Sequence, residues 1–182
     1  MYEVSDKELI TQVAHGCRDA YRQLLQRQLP AVSRYVDRML GQAAETEDIV
    51  QEVFLRLWTQ ASRYDPGVAQ VSTWLHRIAH NLCIDFFRKQ QPLDFEAQPK
   101  EASGGSEPDA EHRSGMLRQD VRLALLNLPE RQRSALILCH FQELSNKEAA
   151  AVLEISVDAL ESLLARARRT LRSTLENPHG LN

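Results

Sequence analysis

The chain of 182 residues has few of the residues that build disulfide-stapled, metal-bound or membrane-spanning proteins. Its three cysteines, Cys17, Cys83 and Cys139, stand far apart and form no CxxC pair. This argues against a disulfide framework or a zinc site and favours a reducing compartment. No apolar run approaches the roughly 20 residues that span a bilayer, and the polar N-terminus does not resemble a signal peptide. We therefore expect a cytoplasmic protein.

Sequence signatures of catalysis are missing as well. The chain has no Gly-rich phosphate loop, no GxSxG and no HExxH motif. His76 and His80 have the spacing of a helical metal pair, but no third ligand is evident, so we interpret them as surface histidines. We expect no enzymatic activity, no metal, no cofactor and no small-molecule substrate.

The segment Pro92–Gly115 divides the chain. It contains three prolines, three glycines, and six acidic residues against two basic ones, so it lacks the apolar side chains that would fold it. Strand patterns are absent elsewhere, whereas helical periodicity is frequent. We predict an all-α fold of two small helical domains, 1–91 and 116–177, joined by a flexible acidic linker, 92–115, with a helix-turn-helix in the C-terminal domain.

Local signals mark the predicted helix ends. The first helix begins at Ser5, whose spacing to Glu8 is that of a capping box. A second helix stops before Pro30, because proline interrupts a helix, and a third ends at Gly41. The starts of later helices are assigned to capping residues or to proline: Thr46, Ser72 and Pro129.

The helix predicted after Thr46 is patterned on both sides. Its apolar residues recur at helical spacing and predict a buried face: Ile49, Val50, Val53, Phe54, Leu57, Trp58 and Ala61. The opposite face carries Asp48, Gln51, Glu52 and Leu55. That face is either a solvated surface with one leucine or a protein contact, and the residues alone favour the solvated surface.

The helix predicted from Ser72 has a polar side formed by Arg77, Asn81, Asp85 and Arg88. Arginine and asparagine bind phosphates and base edges, and exposed aromatic rings stack on unpaired bases. The turn before this helix, Arg63–Gly67, contains Tyr64 and is predicted to present a binding loop. The alternative is a polar helix face that contacts only solvent and has no binding function.

The C-terminal segment predicts two short helices around a tight turn. Ser145 with Glu148 forms a capping box, and Ser156 caps the second helix. The net charge of −3 excludes coating of nucleic acid by bulk charge, so any DNA contact must be local. This segment alone favours equally two interpretations: a helix-turn-helix that binds in a DNA major groove, and a helical hairpin with a solvated polar face. The polar face of the second helix carries Asp158, Glu161, Ser162, Arg166, Arg169 and Arg172.

The order of these segments resembles the extracytoplasmic-function sigma factors. The resemblance rests on four motifs: Asp48–Phe54, the segment from Thr73 through Asn81 and Asp85 to Lys89, Leu128–Arg133, and the helix-turn-helix closed by Arg166–Arg169. It implies a protein that binds core RNA polymerase, directs it to promoter DNA and promotes initiation. It also implies a cognate anti-sigma factor, often associated with the membrane.

The resemblance also implies a role for each polar surface. Polymerase binding falls to Asp48, Gln51, Glu52, Phe54 and Leu55. Recognition and opening of the −10 element fall to Tyr64, Arg77, Asn81, Asp85 and Arg88. Binding of the −35 element falls to the polar face of the second helix: Asp158, Glu161, Ser162, Arg166, Arg169 and Arg172.

The chain departs from the family pattern at one position and in one three-residue segment. Glu154 stands at the helix-turn-helix corner, where the family usually has glycine, and it is strained if the corner requires a positive φ. Ala159, Leu160 and Glu161 replace the common Thr-Val-Lys, so the preferred −35 sequence should be this protein's own. Two other functions remain open: a stand-alone helix-turn-helix regulator, and a helical adaptor that binds polymerase without initiating transcription.

Overall fold

The computed structural model describes residues 4–41, 43–90 and 112–176, and these residues form α-helices and no β-strand. This confirms the predicted all-α class. The helices are α1 (Asp6–Ala14), α2 (Arg18–Leu40), α3 (Ala43–Gln60), α4 (Val71–Gln90), α5 (His112–Leu126), α6 (Glu130–Leu136), α7 (Asn146–Leu153) and α8 (Val157–Glu176). A 3₁₀ turn (Ala61–Arg63) follows α3, and a π-helical segment (Ile137–Phe141) follows α6.

The N-terminal helices α1 to α4 pack around a shared apolar core. Each helix buries one apolar stripe, as its periodicity predicts. Ser5 begins α1 through the predicted capping box, with its Oγ accepting from the Glu8 backbone N–H at 3.3 Å. The core includes Leu9, Ile10, Leu24, Tyr35, Val53, Leu57, Leu75 and Ala79, all at most 1% exposed.

The prediction that a helix stops before Pro30 is wrong, because α2 continues through Pro30 to Leu40. A proline inside a helix costs about 3 kcal/mol. Four side chains beyond it, Val32, Tyr35, Val36 and Met39, are fully buried, and burial of one such side chain contributes about 1.5–3 kcal/mol. Pro30 itself faces solvent, so its ring does not intrude on the core. Burial therefore outweighs the local break, and Gly41 ends the helix as predicted, with φ +70.

Three predicted helix starts are also displaced. Helix α3 begins at Ala43, before Thr46, and α4 begins at the buried Val71, one residue before Ser72. Pro129 precedes α6 as its N-cap, with ψ 140, and Glu130 is the first helical residue. The three starts differ from the predicted ones by about one to four residues, which is the usual error of helix boundaries predicted from sequence.

The C-terminal helices α5 to α8 bury apolar residues that are continuous with the core of α1 to α4. They include Ala135, Ile137, Leu138, Ala149, Val152, Leu160 and Ala167, all fully buried. The predicted linker, 92–115, lies outside the described residues as far as 111, and α5 begins within its last residues, at His112. The two groups of helices contact each other, because α2 and α4 pack against α5, α6, α7 and the π-helical segment.

Candidate protein-binding and nucleic-acid interfaces

An open groove of about 540 Å³ runs between α2 and α3. Its α3 wall contains every residue that the resemblance assigns to polymerase binding. Asp48, Gln51 and Leu55 are exposed there, and Leu55 keeps 54% of its surface in water. The groove therefore combines an uncovered apolar side chain with an acidic rim, which is the composition of a protein contact surface.

Two of the five predicted contact residues are less available to a partner, because they already make contacts within the protein. Glu52 accepts a hydrogen bond from Arg56 Nε at 2.8 Å on the same helix. Phe54 is only 3% exposed, so its side chain belongs to the core. Its backbone carbonyl accepts a hydrogen bond from the Tyr21 hydroxyl at 3.2 Å, which ties α2 to α3 at the groove floor.

The α2 wall of the groove was missed in the sequence. Tyr21, Leu25 and Leu29 line it and are half-buried. Tyr21 also packs edge-on against Trp58, with ring centroids 5.3 Å apart, and burial raises the pKa of its hydroxyl. The four-residue spacing of Tyr21, Leu25 and Leu29 marks a second apolar stripe on α2, beside the stripe that faces the core.

The polar face of α4 brings together four of the five residues predicted to contact the −10 element. Arg77, Asn81, Asp85 and Arg88 are all exposed along one side of the helix. Arg88 Nη1 lies 3.5 Å from Asp85 Oδ1, and Arg77 forms an ion pair with Glu154 of the other domain. Asn81 makes no side-chain hydrogen bond among the described residues, so its amide is free to read a base edge.

The fifth residue, Tyr64, lies in the loop before α4. Its hydroxyl donates to the Ala69 carbonyl at 2.8 Å, and its ring packs edge-on against Trp74 of α4, one turn before Arg77. Asp65 Oδ1 accepts from the Gly67 N–H at 2.8 Å, so both ends of the loop are fixed by hydrogen bonds. Val68, at the tip of this loop, is 76% exposed. The loop is thus an ordered projection beside the polar face of α4.

The helix-turn-helix consists of α7, a three-residue turn and α8. The Ser145–Glu148 capping box begins α7 as predicted, and the Oγ of Ser156 accepts from the Ala159 N–H at 3.1 Å at the start of α8. Glu154 adopts the left-handed conformation, with φ 55 and ψ 43. The predicted strain is therefore present, and for a non-glycine residue it amounts to roughly 1–2 kcal/mol.

The outward face of α8 is fully open to solvent. Leu160, Leu164 and Ala167 turn into the core, and every residue predicted to contact the −35 element is exposed: Asp158, Glu161, Ser162, Arg166, Arg169 and Arg172. The two acidic residues lie toward the N-terminus of the helix and the arginines lie further along it. This distribution favours phosphate contacts along the C-terminal part of the helix.

The prediction that His76 and His80 are surface histidines is wrong. His76 is 2% exposed; its Nδ1–H donates to the Ser72 carbonyl at 2.7 Å, and its Nε2 lies 3.3 Å from the Gln142 side chain. His80 Nδ1 lies 3.0 Å from the Tyr35 hydroxyl. Both rings are covered by the second domain, and no periodicity within α4 can reveal a cover that comes from a distant segment.

Burial of the two histidines makes them weak bases. Desolvation lowers the pKa of His76, and it lowers the pKa of His80 to about 4, helped by the positive charge of Arg131. Both rings are therefore neutral at pH 7. The neutral His80 shares a hydrogen bond with the Tyr35 hydroxyl, and burial raises the pKa of that hydroxyl well above its ordinary value.

Within the described residues, the cysteines and the other potential metal ligands do not form a site. All three cysteines are free, and the part of the chain that the structure describes has no cluster of His, Cys, Asp and Glu arranged to hold a metal ion. Within those same ranges, no helix combines the length and apolar character needed to cross a membrane.

The two domains and their surfaces define a class of protein, the sigma-70 transcription initiation factors. The family described as Sigma-70 region 2 matches residues 24–92, and Sigma-70, region 4 matches residues 118–171. Within that class, the chain belongs to the extracytoplasmic-function sigma factors of RNA polymerase. It is an alternative sigma factor, and a stand-alone regulator is not favoured.

The family assignment rests on relatives that align over nearly the whole chain. The ECF RNA polymerase sigma factor SigW of Bacillus subtilis is 32% identical over 96% of this chain and 99% of its own length. RpoE of Cereibacter sphaeroides is 31% identical over 87% of each protein. A structure of CnrH in complex with the cytosolic domain of CnrY covers 94% of this chain and 97% of that chain, with 27% identity and a TM-score of 0.73.

Proposed function

We propose that this sigma factor divides its work between three surfaces. The groove between α2 and α3 binds core RNA polymerase, the polar face of α4 with the Tyr64 loop binds and opens the −10 element, and the outward face of α8 binds the −35 element. The protein performs no covalent chemistry, needs no cofactor and acts in the cytoplasm, where RNA polymerase works. The domains 1–91 and 116–177 carry these roles, with 92–115 as the tether between them.

The exposed Leu55 within the acidic stripe of α3 carries the polymerase assignment. An apolar side chain more than half exposed at the rim of a groove favours burial against a partner. Asp48 and Glu52 beside it favour a partner surface with basic residues. Tyr21, Leu25 and Leu29 complete the opposite wall and widen the proposed contact beyond the residues assigned from the resemblance.

The promoter assignment rests on two separate polar faces on two tethered domains. Opening a duplex requires that extruded bases be held by stacking and hydrogen bonds, at a cost of a few kcal/mol per base. Asn81 and Arg77 offer hydrogen bonds for this purpose, and the ordered Tyr64 loop stands beside them. Binding of both elements by one chain raises the affinity for a promoter with the correct spacing, because the second contact is intramolecular.

Purified core RNA polymerase provides the test of the polymerase surface. Asp48→Arg and Leu55→Asp should each weaken binding about 10-fold or more, because the first reverses a charge that faces a basic partner and the second places a charge where an apolar side chain would be buried. Glu143→Arg and Leu123→Asp make the same chemical changes at exposed sites outside the groove. Equal affinity of the groove variants and their matched controls would reject the groove as the polymerase site.

We also propose that a cognate anti-sigma factor, associated with the membrane, covers these surfaces until a signal arrives. The solved complex of CnrH with the cytosolic domain of CnrY supports this proposal by analogy. A pull-down with the cytosolic segment of such a partner, repeated with Leu55→Asp, tests it. Undiminished capture by that variant would show that the groove lies outside the partner's contact.

A further inference from the structure

A carboxylate on the exposed face of α8 is held by side chains from two other elements. Asn146, the first residue of α7, donates from Nδ2 to Glu161 Oε1 at 3.4 Å. Cys139 Sγ, in the π-helical segment, donates to Oδ1 of the same amide at 3.8 Å. Because the thiol requires the amide oxygen on its side, the amino group of Asn146 faces Glu161. The direction of the Glu161 carboxylate is therefore set from outside α8.

Glu161 has no positive charge opposite it. It forms no ion pair among the described residues. Arg168 lines the same open depression of about 410 Å³, but its Nη2 donates instead to His140 Nε2 at 3.1 Å. DNA phosphates repel a carboxylate that lies on the surface facing them. Glu161 therefore lowers the affinity for DNA unless it meets a hydrogen-bond donor on the bases.

The position of Glu161 on α8 suits contact with a base edge. In a helix-turn-helix, the N-terminal residues of the second helix contact bases, and Glu161 is the fifth residue of α8. Ala165, one turn further along, is exposed and short, so it leaves room for a base pair beside the carboxylate. Ser162 is less available, because its hydroxyl donates to the Asp158 carbonyl at 3.0 Å.

The major groove presents two kinds of amino group to a carboxylate, cytosine N4 and adenine N6. Adenine carries the acceptor N7 beside its amino group, so its edge suits an amide that both donates and accepts. Cytosine presents its amino group without an acceptor beside it on the same base, and it is the usual partner of Glu and Asp. A carboxylate that only accepts therefore favours cytosine.

We propose that Glu161 selects a cytosine, on either strand, in the −35 element, and that Asn146 is the positioning residue that directs its carboxylate. This inference rests on the proposed function of α8 and adds the base that this surface recognises. Asn146 holds Oε1 of Glu161, and Oε2 accepts from cytosine N4. A carboxylate that is already held loses less conformational freedom on binding than a mobile one, so more of the contact energy is available for discrimination.

The test uses holoenzyme assembled from the full-length protein and core RNA polymerase. The probes are fragments of a promoter recovered by run-off transcription, in which each −35 base pair is replaced in turn by the other three. Competition binding gives the preference at each position. Glu161→Gln removes the charge and keeps the length of the side chain, and Glu143→Gln makes the same change at an exposed residue outside α8 as a matched control.

The unmodified holoenzyme should prefer cytosine at one position by roughly 5- to 10-fold, the lower part of the range for a specific base contact. Glu161→Gln should shift that preference toward adenine, because glutamine pairs with adenine N6 and N7. It should also raise the affinity for the other fragments, since a repelled charge is lost. Glu143→Gln should leave every preference unchanged. An unchanged preference at all −35 positions in Glu161→Gln would overturn the proposal.

A base analogue identifies the contacted atom. Replacement of the preferred cytosine by 2-pyrimidinone, which lacks the N4 amino group, should weaken binding of the unmodified holoenzyme by about the same factor. The same replacement should not affect binding by Glu161→Ala, because the acceptor is already absent. Equal losses in the two proteins would mean that the analogue acts through the duplex, and this result would contradict the contact.

The role of Asn146 has its own readout. Asn146→Ala should reduce the cytosine preference about 2- to 3-fold, as the loss of one exposed hydrogen bond predicts, and leave the other positions unchanged. In the Glu161→Ala background it should have no further effect. A uniform loss of affinity with the cytosine preference intact would reject Asn146 as the positioning residue.

Failure of the proposed function of α8 can be distinguished from failure of this inference. If α8 does not bind the −35 element, Arg169→Ala will leave both the affinity and its salt dependence unchanged. If Arg169→Ala weakens binding while Glu161→Gln alters no base preference, α8 binds the element but Glu161 does not read it.

Discussion

Helices α4 and α8 share the same amphipathic pattern, but they lie in different surroundings. Each has 20 residues, one apolar side, and a polar side with arginines near its C-terminal end. On α8 the polar side is open to solvent, whereas α4 has Arg77 paired with the other domain and two histidines covered by it. The comparison teaches that helical periodicity identifies a polar face but does not say whether water, DNA or another domain lies against it.

The largest effect should come from removing the buried arginine that joins the two regions. Arg133→Ala should lower the free energy of unfolding by about 3 kcal/mol, because it leaves the carbonyls of Met39, Leu126 and Leu128 without their donor. Chemical denaturation measures this value. Arg131→Ala, an exposed neighbour, is the control and should change it by less than about 0.5 kcal/mol.

Acid should destabilise the packing around α4, where His80 lies, and should have no such effect on the exposed polar face of α8. The unfolded chain binds protons at His80 below its ordinary pKa of 6.5, whereas the folded chain does so only near pH 4. The contribution of His80 is therefore complete above pH 6.5 and is lost as the pH falls toward 4, by roughly 3 kcal/mol. Denaturation curves at several pH values test this, and His80→Gln should flatten the dependence. An equally steep dependence in that variant would contradict the assignment.

Loss of the proposed −10 contact should affect opening and spare duplex binding. Arg77→Ala and Asn81→Ala should each slow open-complex formation roughly 10-fold, since a good contact to a base or phosphate contributes about 1–3 kcal/mol. Affinity for the −35 duplex should remain that of the unmodified protein. Permanganate footprinting of the opened region, beside a duplex-binding assay, separates the two steps. Parallel losses in both assays would show that α4 and α8 do not act separately.

Loss of one arginine on α8 should have the complementary effect. Arg169→Ala should weaken binding to the −35 duplex several-fold and reduce the slope of log affinity against log salt by about 1, as expected for one phosphate contact. Titrations at several salt concentrations measure both quantities. Arg131→Ala, on the same domain but away from the exposed face of α8, provides the control. A slope unchanged by Arg169→Ala would remove that residue from the interface.

The smallest effect should come from relieving backbone strain at two matched positions. Glu143→Gly and Glu154→Gly both place glycine where φ is 55, which should add up to about 1 kcal/mol of stability. The gain should be smaller for Glu154→Gly, because that variant also loses the ion pair with Arg77. Thermal unfolding of the two variants measures the difference, and equal gains would show that the ion pair contributes nothing to stability.

Much of the fold follows from local patterns. The capping boxes at Ser5 and Ser145, the end of α2 at Gly41, and the exposed face of α8 were all predictable, because neighbouring residues determine them. The predicted helix end before Pro30 was wrong, because the cost of a proline is local and visible in the sequence, whereas the burial that offsets it arises from packing against other helices. Local signals therefore gave some helix ends correctly, gave others to within a few residues, and failed at Pro30, where packing opposed them.

The sites divide in the same way. The polar faces of α3, α4 and α8 follow from helical spacing, and their roles follow from the family resemblance. The groove wall formed by Tyr21 and Leu25 and the burial of His76 and His80 depend on contacts between distant segments. Glu154 has one feature of each kind. Its backbone strain was predictable from its place in the turn, but its pairing with Arg77 of a distant segment was not.

The most direct measurement is run-off transcription with purified core RNA polymerase on a pool of bacterial promoter fragments. Addition of this protein should produce discrete new transcripts whose aligned start sites share two upstream elements, and Asp48→Arg with Leu55→Asp should abolish them. The matched Glu143→Arg and Leu123→Asp pair should support the same transcripts. An absence of new transcripts with a polymerase that is bound by the protein, or transcripts that persist in the groove variant, would contradict the account.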